Sequence, residues 1–346
     1  MTVDSAAAPR RRATDLRVQL AIMLAAALVC VLAFLRLINI GSVAQRLEHL
    51  NISLAVLCGL VFLSAYVVRA LRWRWFLAPH QVGKARAIAI YQVAIFVNWL
   101  LPIRGGELVK CLLLRRLNAI PISRSLPSVT MDKFMDLLPS VALVAMLPFL
   151  PLHLSRPLWF LLDFVLLIEG LGVLLLCLAA WRRQRAMALI ARLTSRLPKR
   201  ARAGVEPFTM RFIDALIALA KRPRILLIAA GYTAVAILLD SCFCYLAFEA
   251  VGASVAFPVV LFGYTFYNLA YVLPTPPGQI GSNELIGLLV FSGVLGVNQS
   301  EVAAMFLFSH PWTALLMVAS GIGCLSAMGV TLRHALSMTQ EPARAA

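Results

Sequence analysis

The chain has 346 residues, of which 61% are hydrophobic and 14% charged, with a mean hydropathy of +0.87. That is too apolar for an ordinary soluble domain, whose core cannot absorb apolar stretches of this length. The net charge of +17, from 32 Lys and Arg against 15 Asp and Glu, does not argue for nucleic acid. The positive residues stand at the ends of apolar segments without a recognition motif, and membrane orientation and anionic lipid account for them.

In chain order, a basic tail (1–17) with Arg10, Arg11, Arg12 and Arg17 precedes the first apolar segment. Segments 18–35, 50–68, 137–154, 158–181, 225–250 and 302–328 each approach or exceed the length that spans about 30 Å of hydrocarbon at about 1.5 Å per residue. The first is too long for a signal core and lacks a small-residue cleavage site, so it reads as a retained span. The membrane domain is expected over 18–332, with a basic loop and amphipathic segment at 182–221, and a short tail at 333–346.

Two stretches are shorter and interrupted. Segment 86–101 breaks at Leu101-Pro102-Ile103-Arg104-Gly105-Gly106-Glu107 and resumes at 108–114. Segment 257–273 breaks at Leu273-Pro274-Thr275-Pro276-Pro277-Gly278-Gln279-Ile280-Gly281-Ser282-Asn283-Glu284 and resumes at 286–295. Neither arm makes a comfortable crossing alone, whereas each pair makes a hairpin reaching toward the midplane. The rival reading is a plain span ending at a Pro-Gly surface loop.

Basic clusters at 10–17, 69–86 and 182–202 fall on one side, so the positive-inside rule puts both termini and the long basic loop in the cytoplasm. With Arg86 and Arg115-Arg116 at its ends, the first hairpin enters from the cytoplasm and the second from outside. The expected fold class is an all-α polytopic integral membrane protein, with about six full transmembrane helices and two oppositely oriented broken re-entrant hairpins in an inverted repeat.

Broken backbone beside a carboxylate is expensive in hydrocarbon, so both breaks are candidate ligand sites. At the first, Pro102 removes a donor, Gly105 and Gly106 relieve steric restriction, and the following helix start favours an anion such as Glu107 or a lipid phosphate. Arg104 and Lys110 flank Glu107 with positive charge, which gives a phosphate cradle or a turn held by its own ion pairs. At the second, Pro274 and Pro277 enforce a non-helical approach and Gly278 and Gly281 admit close backbone. Asn268, Asn283 and Glu284 supply hydrogen-bonding groups, for a ligand or to close the hairpin. A buried Glu284 needs a cation, a proton or polar partners.

Arg69 and Arg72 share a helix side and meet headgroups or set orientation; Asp132, Lys133 and Asp136 form a gate or an interfacial salt network. His310 stands alone before Pro311 and is read first as a packing residue. No Ser-His or Cys-His constellation supplies a catalytic centre. The seven cysteines, Cys242 and Cys244 included, lack companion histidines and read as core, so no metal and no cofactor are expected. Asn298 and Glu301 have capping-box spacing at the start of the last helix.

Taken together, Arg69-Ala-Leu-Arg72-Trp-Arg74, Asn98 through Lys110, Ser128 through Asp136 and Leu273 through Glu284 resemble, in order and separation, a flippase-like membrane family. It is the one named for the transmembrane region of lysylphosphatidylglycerol synthase. The resemblance implies lipid translocation, with Arg104, Glu107 and Lys110 in the first polar motif and Pro277, Gly278, Gly281 and Glu284 in the second. The family often carries Arg near the present Ser309-His310, and its full synthases add a soluble aminoacyl-transferase domain that this chain is expected to lack.

The resulting expectation is a non-enzyme in a bacterial inner membrane that moves a lipid with an anionic headgroup between leaflets, with a lipid-biosynthesis enzyme as a further partner. The alternatives are a lipid-binding enzyme or accessory that moves nothing, and a small-solute secondary transporter.

Overall fold

The computed structural model describes residues 8–100, 105–146, 156–195, 199–269 and 276–330. Pro102, Arg104, Pro274 and the tail at 333–346 lie outside the described residues, and only the backbone is described for Pro277 and for Arg10 to Arg17.

Every regular element among the described residues is helical. α1 (Ala8–Leu37) is followed by α2 (Ile40–Glu48), α3 (Ile52–Phe76), α4 (Lys84–Leu100), α5 (Gly106–Asn118), α6 (Ile122–Met146) and α7 (Arg156–Trp181). Then come α8 (Arg183–Thr194), α9 (Lys199–Ala220), α10 (Pro223–Ala250), α11 (Phe257–Leu269), α12 (Ser282–Gly287) and α13 (Gln299–Ala327). A short 3₁₀ turn, Pro277–Gln279, precedes α12, and a π turn, Leu288–Ser292, extends it.

The distribution of side chains inverts that of a soluble protein. Leu60 on α3, Leu227 on α10 and Leu315 on α13 are exposed, while Arg72, Lys110 and Asp132 are at most 1% exposed. Apolar side chains turned outward need an apolar solvent, so this is a multi-pass membrane protein. Among the described residues α3, α10 and α13 are long and apolar enough to cross a bilayer. A fourth crossing follows if the pair Met23–Leu37 and Ile40–Glu48, bent by 89°, is one span.

The described residues therefore fall short of the six crossings expected from sequence. The stretch expected to span over 137–154 belongs to a helix that starts at Ile122 and brings Asp132, Lys133 and Asp136 with it. The second half of that stretch lies outside the described residues. The amphipathic segment at 207–221 forms the end of α9.

Among the described residues the long helices α3 and α10 make the most extensive pairing. Around them, α4 packs on both α5 and α13, and α11 packs on both α10 and α6. Each half thus reads as long helix, broken pair, long helix, and each broken pair leans on the last helix of the other half. The helix starts have local causes. Asn51 accepts from the Leu54 amide at 3.1 Å to cap α3, and Asn298 accepts from the Ser300 amide at 2.9 Å to cap α13. Only half of the expected capping box forms, because the Glu301 carboxylate turns to Arg46 of α2 at 2.9 Å.

Candidate functional site

Among the described residues two polar centres lie in the interior, one beside each break. At the first, the start of α5 lies against α4 so closely that a Cβ on Gly106 would stand 2.0 Å from the Ala94 carbonyl oxygen. Only glycine fits, and its amide donates to Asn98 Oδ1 at 2.8 Å, while Asn98 Nδ2 reaches Glu107 Oε1 at 3.3 Å. Asn98 is therefore the residue that closes the first pair.

From there a charge network runs into α6 and α3. Glu107 receives Lys110 Nζ at 3.0 Å and Lys133 Nζ at 2.9 Å, one on each oxygen. Lys110 also lies 3.5 Å from Asp132 Oδ2 and 3.8 Å from the centre of the Tyr91 ring. Arg72 spends its whole guanidinium inside the protein. Nε donates to Asp132 Oδ1 at 2.9 Å, NH1 to Thr233 Oγ1 at 2.9 Å, and NH2 to the Asp132 carbonyl at 3.2 Å and Asp136 Oδ1 at 2.5 Å. Three cations, Arg72, Lys110 and Lys133, face three carboxylates, Glu107, Asp132 and Asp136. The network is neutral within itself, which is the condition for burying it.

Arg69 does not join this network although it shares a helix side with Arg72. Its guanidinium pairs with both oxygens of Asp240 on α10 and lies 5.6 Å from the Tyr66 ring centre. Both arginines are thus committed to internal pairs. Asp240 was missed in the sequence, although a lone carboxylate inside an apolar run of this length is a signal in its own right.

The second centre is built on the 3₁₀ turn and α12. Gly278 and Gly281 adopt φ of 63° and 77°, and a Cβ on Gly281 would meet the Val31 amide nitrogen of α1 at 2.7 Å. This sharp path buries Ser282, Asn283 and Glu284 together. Tyr267 donates to Asn283 Oδ1 across the pair, and Asn268 stands half-buried beside it in the last turn of α11.

His310, expected to be a packing residue, bridges the break. Nδ1 lies 2.5 Å from Glu284 Oε1 and Nε2 lies 2.8 Å from the Gly278 carbonyl. A carbonyl only accepts, so Nε2 carries a hydrogen. One further proton must then lie between Nδ1 and Oε1, either as imidazolium beside carboxylate or as imidazole beside carboxylic acid. In both forms the pair is neutral overall.

The two centres adjoin. The end of α4 packs on the 3₁₀ turn, with Trp99 Cζ2 3.6 Å from where a Cβ of Gly278 would be.

Residues 18–321 match the family profile described as lysylphosphatidylglycerol synthase TM region. The chain belongs to this family. The matched part of the family is the membrane region of the synthase, not its aminoacyl-transferase domain, and both polar centres fall within it. The resemblance read from the two breaks is therefore borne out.

Among curated proteins, the chain is similar to glycosyltransferase AglD of Haloferax volcanii, 23% identical over 88% of this chain and 53% of that protein. It is also similar to two proteins of Methanothermobacter thermautotrophicus named UPF0104 membrane protein. One is 24% identical over 77% of this chain and 81% of its own length, the other 26% identical over 66% and 71%. The chain spans about half the length of AglD. No solved structure matches. These relatives are archaeal, which overturns the expected assignment to a bacterial inner membrane; what stands is a multi-pass membrane protein of this family.

Among the described residues no group of three or more His, Cys, Asp or Glu side chains is placed to hold a metal ion.

Proposed function

We propose that this protein moves an amphiphilic lipid between leaflets, its headgroup passing the point where the two breaks meet and its tails staying in the bilayer. The observation that carries this reading is the packing of the end of α4, the first arm of the first broken pair, on the 3₁₀ turn of the second, where Trp99 Cζ2 lies 3.6 Å from the place a Cβ of Gly278 would take. The reciprocal packing of α4 on α13 and α11 on α6 supports an inverted arrangement, with about six crossings and two hairpins entering from opposite faces.

An anionic headgroup would be met first by Arg104, from its place in the sequence, and by Lys133. Lys133 is 45% exposed while still bonded to Glu107 and Asp136. Lys110 is fully buried, and would serve a phosphate only by leaving Glu107 and Asp132. Glu107 and Glu284 organise the two centres, and Glu284 with His310 supplies a proton that can change place as the breaks rearrange.

The test is reconstitution into sealed vesicles with a headgroup-labelled lipid, read by loss of label accessibility without bilayer leakage. Movement should be lost in the double variant Glu107→Gln, Glu284→Gln. Unchanged movement in that variant would remove the carboxylates from the mechanism.

A second reading has its own support. The described cations of the first centre are all paired, and one relative is named a glycosyltransferase. On this reading the chain binds a lipid for a biosynthetic partner without moving it, and lipid-dependent association with no crossing would favour it.

A further inference from the structure

This inference rests on the reading above in holding that the second break opens and closes, and it names the ion tied to that motion. One imidazole joins three pieces of the fold. His310 of α13 holds Glu284 of α12 at 2.5 Å through Nδ1 and the Gly278 carbonyl of the 3₁₀ turn at 2.8 Å through Nε2. The two side chains are 10% and 9% exposed, and Oε2 of Glu284 has no hydrogen-bond partner among the described residues.

The proton between Nδ1 and Oε1 makes this contact possible. Without it a carboxylate oxygen would face the lone pair of a neutral imidazole, acceptor against acceptor, in a buried place. That anion would need a cation, and among the described residues no ion pair other than that with His310 reaches Glu284. α1 brings Cys30, whose Cβ lies 2.9 Å from where Gly281 would carry one. α11 brings Tyr267, which donates to Asn283, with Tyr264 stacked on its ring, and α4 brings Tyr91, which donates to Asp132. The cations of α2 and α3, Arg46, Arg69 and Arg72, are committed to Glu301, to Asp240 of α10, and to Asp132 with Asp136. A second proton is costly too, since imidazolium beside a carboxylic acid is an uncompensated buried cation. The closed break therefore holds one proton.

An open break admits water, where a separate imidazole and carboxylate hold no such proton above about pH 7. Opening sends the proton to water as hydronium. Nε2 keeps its hydrogen, and Glu284 keeps a negative charge that water now solvates; closing takes the proton back.

We propose that Glu284 and His310 form a binding site for one exchangeable proton, whose occupancy closes the second break and makes the proton the ion coupled to its movement.

The first experiment is amide hydrogen–deuterium exchange of the purified full chain in nanodiscs at pH 7, 8 and 9, corrected for the intrinsic rate of free amides. In that range the closed break holds one proton more than the open one. Protection over 276–287 should fall about tenfold per pH unit, while α3 in the same sample keeps its protection. Between about pH 5 and 6 both arrangements hold one proton, and the dependence should flatten. Glu284→Gln keeps a donor for Nδ1 with no proton to lose, and should show equal protection from pH 7 to 9. A flat wild-type profile, or the same slope in Glu284→Gln, overturns the proton site. If that variant does not fold, the wild-type slope against α3 decides alone.

The second experiment uses sealed egg phosphatidylcholine vesicles carrying the full chain and a trace of headgroup-labelled phosphatidylglycerol. Valinomycin and potassium clamp the voltage, and protein-free vesicles are the blank. A pH difference of about one unit should shift the final leaflet ratio by up to about tenfold, for one proton moved per lipid. The shift should reverse with the gradient and vanish with a protonophore. Crossing without the shift overturns the coupling. No crossing, with the protection slope present, defeats the proposed function alone and leaves the proton site standing.

Discussion

Gly106 and Ala94 touch through their backbones, and the two arms of the first break are held together there with no room for a methyl group. Helix contacts made by backbone atoms cannot give way as a flexible side chain can, so the cost of adding volume falls on the helix pair itself.

Gly106→Ala is therefore expected to destabilise the protein by about 2 kcal/mol or more, in the range of overpacked cores. The measurement is the unfolding midpoint in detergent micelles. Gly83→Ala serves as the comparison, because a Cβ there meets nothing within 4 Å, and it should leave the midpoint nearly unchanged.

Arg72 and Asp132 should behave as a coupled pair. Arg72→Leu and Asp132→Leu each strand a buried partner and should cost roughly 3–5 kcal/mol, whereas the double variant should cost clearly less than their sum. Additive losses in a double-mutant cycle would mean that the two side chains act independently.

At the second centre, Glu284→Gln should be tolerated within about 1 kcal/mol, because an amide N–H can donate to His310 Nδ1 while Nε2 keeps the Gly278 carbonyl. His310→Leu removes the partner of both Glu284 and the Gly278 carbonyl and should cost about 1–3 kcal/mol for each group left bare. Thermal unfolding of the two variants side by side checks the order; a more damaging Gln would contradict the proton placement.

Lys133 separates headgroup attraction from fold. Lys133→Gln should leave the fold within about 1 kcal/mol, because the side chain is part-exposed and screened. It should slow movement of an anionic lipid several-fold, less so as salt is raised. Vesicle assays at two ionic strengths would read both effects, and a rate insensitive to the substitution would take Lys133 out of headgroup capture.

Much of this was legible in the sequence. Both breaks announce themselves through Pro and Gly beside a carboxylate, and Asp132 and Asp136 at helical spacing already point toward cationic partners. What could not be read were relationships set by tertiary packing. Nothing local tells that Arg72 and Arg69, one helical turn apart, separate toward Asp132 and Asp240. Nor does it tell that His310 reaches back to Glu284, since the isolated imidazole finds its acceptors only when α13 is laid against the second break. Among the described residues three or four crossings can be counted, and the apolar stretch from Leu137 continues a helix begun at Ile122 with charged residues inside it, a start that hydropathy alone does not mark.

The crossed leaning of the two halves also sets an order on synthesis. α4 enters the bilayer long before α13, its packing partner, has been made. Until the ribosome delivers α10 as well, Arg69 lacks Asp240 and Arg72 lacks Thr233. The nascent chain therefore passes through a stage in which those ions must be sheltered by other means, by water, lipid headgroups or an insertion chaperone.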